Sequence, residues 1–368
     1  MPDFPYARLR RRPDVEAENL QAHDATDLLL VERALDSDIP GAEIAVIGDE
    51  YGAITLALTD AGLSGIRVHQ DLATGRRALA LNAEDLDLTG FVSHELDSTL
   101  LAGARLVLLQ LPKSLAELEE IADAVARWAA PDAVLVAGGR VKHMTLAQNE
   151  VLARSFASVQ AQRAERKSRL IVASSPLPAP ASPPFPVTAQ HEGLTLVAHG
   201  GAFAGARLDI GTRVLLDALG RMPVGETVVD LGCGTGALAV SYAIAHPGAH
   251  VIATDRSAAA AASARATVLA NGVDDRVTVM HDDAGSEIDT GSIDVVLLNP
   301  PFHLGTSVHT GAATRLFEAA ARMLRPGGEL WTVYNSSLGY RAELTRLIGI
   351  TEQVERTPKF TVMRSVRR

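Results

Sequence analysis

Two short stretches of this chain carry residue types whose spacing suits chemistry more than packing. The first is Asp230-Leu231-Gly232-Cys233-Gly234-Thr235-Gly236, which follows an apolar run and opens an alanine-rich one. Glycines at such a junction let backbone N–H groups approach a ligand closely and turn tightly into a helix N-terminus. Read together with Ala237, the same residues also fit the G-x-G-x-x-A fingerprint of dinucleotide sites, so the glycines alone leave two ligands open. Asp230 divides them. A carboxylate there would repel the pyrophosphate of a dinucleotide and attract the ammonium and sulfonium of S-adenosylmethionine. Asp255, about 20 residues beyond the loop at the end of the next apolar run, is placed to take ribose hydroxyls. Asp282 or Asp283, ending the run after that, is placed to meet an adenine amino group. Helix capping is the simpler reading of these aspartates, and Asp255 can serve both purposes.

The second stretch is Asn299-Pro300-Pro301-Phe302-His303, directly after the apolar run at residues 293–298. A double proline at the C-terminal end of a strand makes a rigid, extended turn at the binding edge of a sheet. Such a turn fixes two acceptors, the Asn299 side-chain oxygen and the Pro300 carbonyl. An exocyclic amine on a base has two hydrogens to donate, so an acceptor pair holds it with its lone pair toward an incoming methyl. Phe302 offers a face for stacking, worth about 1–3 kcal/mol per base. A sulfonium is a good leaving group and the proton can depart afterwards, so catalysis here is chiefly positioning. A proline turn that merely ends a strand is the plain alternative, and the glycine loop upstream weighs against it. His303 either touches the substrate or caps the turn.

The elements that must position these residues follow from the apolar pattern. Residues 227–231, 251–254, 277–280, 293–298 and 329–334 read as strands, with alanine-rich helices between them at 237–245, 257–271 and 312–324. Asp255 and Ser257 suit a helix start, and Asn271-Gly272 and Gly327-Gly328 suit stops. Buried strands alternating with helices predict a doubly wound, mostly parallel α/β sheet. Residues 351–356 and 360–366 are joined only by Thr357-Pro358-Lys359, a hairpin that must turn one strand antiparallel.

Upstream, the pattern recurs about 190 residues earlier in the same order. Residues 43–58 overlay 227–242, with Gly48 on Gly232, Gly52 on Gly236 and Asp71 on Asp255; residues 104–113 overlay 293–302; residues 129–140 overlay 324–335. This reads as a duplicated domain, with chance likeness of two α/β folds as the alternative. The first copy has Val46 for Asp230, Glu50 for Gly234, and Gln110-Leu111-Pro112-Lys113 for the acceptor turn, so residues 1–173 are expected to form a non-catalytic copy serving RNA binding or support. Six prolines between Pro176 and Pro186 mark residues 174–193 as an extended connector, leaving 194–368 as the catalytic domain.

Of the 368 residues 47% are hydrophobic, 21% charged and 4% aromatic, enough apolar material for two globular domains. No apolar run approaches the roughly 18 residues of a membrane span, and the basic N-terminus lacks the apolar stretch of a secretion signal. The single Cys233 forms no internal disulfide or zinc cluster, and the histidines show no metal-ligand spacing, so a cytoplasmic, metal-free monomer is expected. The net charge of −10 argues against sequence-blind nucleic-acid binding. Candidate local RNA contacts are Arg8, Arg10, Arg11 and Arg12; Arg163, Arg166, Lys167 and Arg169; and Lys359, Arg364, Arg367 and Arg368.

The second half resembles class I methyltransferases that modify amino groups, marked by Asn299-Pro300-Pro301-Phe302. Within that class, Phe302-His303 and GAFAGARLDIGTRVLL at residues 201–216 resemble the ribosomal RNA guanine-N2 methyltransferases, which carry two tandem domains of which the second binds cofactor. Leu111-Pro112-Lys113, AGGRVKH at 137–143 and KSRLI at 167–171 look closer to the large-subunit enzyme. The resemblance implies guanine in ribosomal RNA as the target, S-adenosylmethionine as cofactor, and Phe203 and Asp209 as further substrate contacts. An adenine or protein-glutamine N-methyltransferase, an NAD-binding oxidoreductase and a non-catalytic RNA-binding assembly protein are the rival readings.

Overall fold

The computed structural model describes residues 4–191, 193–301 and 310–368, and the chain divides into two compact units, Met1–Phe185 and Pro186–Arg368. The first holds seven strands, β1 (Ile44–Ile47), β2 (Ile66–His69), β3 (Phe91–Ser93), β4 (Leu106–Gln110), β5 (Val134–Arg140), β6 (Phe156–Ala161) and β7 (Ser168–Pro176), in the order β3-β2-β1-β4-β5-β7-β6. The second begins with a hairpin of β8 (Val187–His191) and β9 (Leu194–Ala198). Its main sheet holds β10 (Thr227–Leu231), β11 (His250–Asp255), β12 (Val277–His281), β13 (Ile293–Leu298), β14 (Leu324–Asn335), β15 (Gly349–Arg356) and β16 (Phe360–Arg367), in the order β12-β11-β10-β13-β14-β16-β15. The two sheets therefore share one topology.

The central strands are buried along nearly their whole length because helices cover both faces, which is why they read as unbroken apolar runs. Successive side chains still alternate between faces. Val228, Val295 and Leu297 pack with Tyr242 and Trp331, whereas Val229, Val296 and Leu298 pack with Phe317 and Met323. The expected hairpin is present. β16 runs antiparallel to β14 and to β15, so β15 is parallel to the body of the sheet. β14 starts at Leu324, earlier than the pattern suggested, because Arg325-Pro326-Gly327-Gly328 is carried as an irregularity opposite Ile293 and Val295.

Two expectations need correction. The connector is shorter than residues 174–193, since 174–176 finish β7 and Val187–His191 form β8. Prolines are tolerated at a strand's end, where no ladder N–H is needed, and the five residues of β8 contain none. The second concerns the overlay of the two halves. The match of β4 to β13 holds in register, Val46 pairing with Leu108 as Asp230 pairs with Leu297. One strand over, the alignment slips by one residue. Gly48 N–H donates to the His69 carbonyl at 3.0 Å just as Gly232 N–H donates to Thr254 at 2.8 Å. Gln70, not Asp71, therefore stands where Asp255 stands.

A polar seam fastens β9 to the helix Ala258–Ala270. Asn271 accepts from Thr195 N–H (3.0 Å) and donates to its carbonyl (2.7 Å); Thr267 Oγ1 does the same with Val197 (3.0 and 3.2 Å); Ser263 Oγ accepts from His199 N–H (2.9 Å). Helix positions four apart are about 6 Å apart and strand positions two apart about 6.8 Å, so one stripe can serve one edge. The first unit uses the same device at Asn82, which exchanges two 2.9 Å hydrogen bonds with the backbone of Arg10.

Candidate active site

β10 delivers Asp230 to the sheet's C-terminal edge, and Gly232 to Gly236 turn the chain into the helix Ala237–Ala245. Gly232, Gly234 and Gly236 all have positive φ, of 76°, 53° and 78°. A Cβ at Gly232 or Gly234 would meet nothing within 4 Å, so the backbone there borders open space. Gly236 is glycine for another reason: a Cβ would lie 3.1 Å from that of Ala264, where two helices cross closely.

Asp230 is buried. Its Oδ2 accepts from Ala239 N–H at 3.0 Å, while Oδ1 has no hydrogen-bond partner among the described residues. Burial pushes its carboxyl up to about 7, with the neighbouring Asp255 adding to the rise and the Ala239 N–H opposing it. A buried carboxylate oxygen without a partner beside an open glycine loop fits a cationic amino-acid end.

Asp255 accepts from Gly234 N–H through Oδ2 and from Ser257 N–H through Oδ1, both at 2.9 Å, so it braces the loop and steadies Ser257, the residue that caps the next helix. Asp282 and Asp283 are differently engaged. Asp282 accepts from Ser286 Oγ at 2.5 Å and from Glu287 N–H at 3.2 Å, and Asp283 is ion-paired with Arg315. Burial raises the Asp283 carboxyl against the pull of Arg315. Of the two side chains expected to meet adenine, Asp282 thus holds its own turn and Asp283 holds Arg315 of the helix Thr310–Met323.

Asn299 follows β13, and its surroundings are specific. Its Nδ2 donates to Asp209 Oδ2 at 3.0 Å and to Thr212 Oγ1 at 2.9 Å. Both amide hydrogens are thereby used. Its Oδ1 is buried and has no partner among the described residues. Asp209 caps the helix Ile210–Asp217 by accepting from Thr212 N–H at 3.2 Å. Pro300 is buried and Pro301 exposed; Phe302 and His303 lie outside the described residues. Phe203 is 69% exposed. Thr212 was not singled out from the sequence, although its place three residues after Asp209 is a capping spacing that signals it.

The first unit builds the same corner differently. Val46 replaces Asp230, and its buried acid is Asp49, whose Oδ2 accepts from Thr55 N–H at 2.7 Å. A Cβ at Gly48 would come within 3.3 Å of the Gln110 side chain, so the opening seen at Gly232 is filled. Arg11 lies 4.6 Å over the Tyr51 ring, whose hydroxyl donates to Asp14 at 2.9 Å. The basic clusters are partly self-satisfied: Arg10 pairs with Glu16, Arg12 with Asp85, Arg166 with Glu32, and Arg364 with Glu329 and Glu352. Among the described residues no group of His, Cys, Asp and Glu could hold a metal ion, and no helix is long and apolar enough to cross a membrane.

The family model "Methyltransferase small domain" matches residues 193–364, and "RLMG N-terminal domain" matches residues 3–177. The T. thermophilus 16S rRNA N2 methyltransferase solved in complex with AdoMet and guanosine shares the fold: TM-score 0.75 at 21% identity, covering 94% of this chain and 92% of that one. Fold and family matches define a class I methyltransferase, the class that uses S-adenosylmethionine. Ribosomal RNA large subunit methyltransferase G of Pseudomonas paraeruginosa is 37% identical over 378 residues, 99% of this chain and 100% of that protein. The protein of that name from Streptomyces avermitilis is 35% identical over 378 residues, 98% of this chain and 97% of its own. The chain belongs to the ribosomal RNA large subunit methyltransferase G family.

Proposed function

We propose that this protein transfers a methyl group from S-adenosylmethionine to the exocyclic N2 amino group of a guanine in large-subunit ribosomal RNA. The observation that carries the amine assignment is Asn299, whose amide hydrogens are both engaged and whose buried Oδ1 is left as an acceptor. An acceptor is what an amine nucleophile needs and what a keto oxygen would avoid. When bound, the cofactor supplies an electrophilic methyl on a sulfonium. Asp230 Oδ1, Asp255 and the open backbone at Gly232 and Gly234 are the groups to hold it, and Gly236 keeps the helix close enough to aim them. Asn299 and the Pro300 carbonyl orient the amine, and Phe302 and Pro301 flank the base, with His303 and Phe203 as outer contacts. The base is flipped out of its stack to reach this edge. Residues 1–173 take no cofactor and serve RNA binding or support.

The experiment is mass-spectrometric mapping of ribosomal RNA from a deletion strain and its parent. Loss of one N2-methylguanine, restored by the wild-type gene, is the expected result. A lost methyladenine, or a lost methyl on a protein glutamine, would redirect the same site to another amine. Unchanged RNA and protein methylation would defeat the reading.

A further inference from the structure

We infer that Asp209 and Thr212 form a positioning pair that fixes the handedness of the Asn299 amide, and so make the site selective for an amine over a keto or hydroxyl oxygen. The inference rests on the amine reading above. A primary amide can turn half a revolution about its last torsion, exchanging oxygen for nitrogen. In one sense it presents an acceptor to the substrate, and in the other a donor. Only the first suits an amine.

A carboxylate oxygen accepts and does not donate, so Asp209 Oδ2, 3.0 Å away, obliges the nitrogen of Asn299 to face it. Thr212 Oγ1, at 2.9 Å, takes the second hydrogen. The Thr212 N–H bond to the same Asp209 oxygen closes a three-residue ring, which holds the partners still relative to each other. Turning the amide over would point an oxygen at a carboxylate and forfeit both hydrogen bonds. Asp209 is thus separated from the substrate by the amide it holds. Gly211 completes the arrangement: a Cβ there would stand 3.0 Å from Asp209 Oδ2 and 3.1 Å from Asn299 Oδ1. Its backbone is not left-handed, so what glycine supplies here is room beside the acceptor.

The test is an exchange of partners, read by single-turnover methyl transfer to ribosomal RNA at saturating RNA and cofactor. Asp209→Asn alone allows the amide either orientation, and Asn299→Asp alone sets two carboxylates together; each is expected to slow transfer about a hundredfold. The double variant Asp209→Asn, Asn299→Asp restores one donor and one acceptor with an oxygen still facing the substrate, and is expected to recover about tenfold of that loss. Thr212→Val keeps the shape and removes the hydroxyl, costing about tenfold, and Thr212→Ser restores the rate. RNA affinity, measured separately, stays within about threefold of wild type in all of them, because a pure positioning effect appears only in the transition state.

Wild-type rates in Asp209→Asn and Thr212→Val, with Asn299→Ala slow, overturn the positioning pair and leave the amine reading standing. Wild-type rates in Asn299→Ala as well remove the amine reading itself. An RNA affinity that falls in step with the rate makes Asp209 a substrate contact and overturns the inference. If Asp209→Asn melts early, the valine and serine variants at position 212 decide alone: recovery by serine supports the pair, and equal rates in the two overturn it.

Discussion

The two glycine loops of this chain, residues 48–52 and 232–236, start from the same topology and end in opposite states. The second keeps an unpartnered oxygen on Asp230 and open space beside Gly232 and Gly234. The first packs Gln110 against Gly48, puts Glu50 in place of a left-handed glycine and ties the segment around Arg11 and Asp14 to Tyr51. Both copies also tie the C-terminal end of the fourth strand of the main sheet to the unit's first helix. Asn299 does so through its nitrogen to Asp209 and Thr212, and Gln110 through its nitrogen to Asp27 at 2.5 Å. The difference teaches that an open corner and a filled one can be built on the same fold. The buried acid moved from the strand to the loop, yet still accepts from the helix's third N–H, Thr55 in one copy and Ala239 in the other.

The comparison breaks most visibly at the C-terminal end of the fourth strand. Asn299→Ala is expected to cost about 10²–10³ in single-turnover rate with RNA and cofactor affinities nearly unchanged, and Gln110→Ala to cost none. A slow Gln110→Ala variant with intact folding would show the first copy taking part in chemistry.

Transplanting the glutamate of the first loop into the second comes next. Gly234 has φ of 53°, so Gly234→Glu pays conformational strain and fills the space beside the loop. Cofactor affinity by calorimetry should fall about a hundredfold. The reciprocal Glu50→Gly should leave binding at one cofactor per chain, because Gln70 still stands for Asp255 and Gln110 still closes Gly48.

A smaller effect follows from Asp230. Its folded carboxyl titrates at about 7, against an ordinary value of 3.8. Below about 7 the folded protein holds a proton that must leave before a cation is attracted. Cofactor affinity should therefore rise with pH, about tenfold between about pH 6 and 8, until the ligand's own amino group begins to lose its charge near about 8. Stability moves the other way. The raised value favours the folded state fully below about 3.8, and that contribution is lost as pH climbs through about 7. Asp230→Asn should flatten the binding profile in titrations across a buffer series. Asp27 sharpens the contrast, since burial and Asp49 push it up to about 8, a window set by packing with no ligand involved.

The smallest change is Tyr51→Phe, which removes the hydroxyl bond to Asp14. Thermal melting should shift by the equivalent of about 1 kcal/mol, with cofactor stoichiometry and affinity untouched.

Much of this was legible because the glycine loop and the double proline are local signals at the ends of strongly apolar strands. β10, β13 and the helix Ala237–Ala245 fall where the pattern put them. What escaped depended on partners distant in sequence. That Asp283 is engaged by Arg315, 32 positions on, is a tertiary fact that residue type cannot carry. Asp71 attracted the alignment because acid matched acid, whereas strand pairing, decided by backbone hydrogen bonds, selects Gln70. Thr212 lay inside a stretch noticed only for its resemblance, since its hydroxyl gains meaning once β13 brings Asn299 beside it. β8 was hidden by the prolines that precede it.

The seam between β9 and the helix Ala258–Ala270 has a consequence for how this region can change over generations. On one side it is built from three side chains, Ser263, Thr267 and Asn271, and on the other from main-chain groups that every residue except proline possesses. Mutational drift is therefore unequal across it. The strand can exchange its outward side chains and keep its moorings, while each helix position admits few replacements of the right length and polarity. The chain leaving β9 runs on toward Asp209. Its starting point is thus inherited through Ser263, Thr267 and the cap residue Asn271, and residues 199–208 can change without the anchor being reinvented.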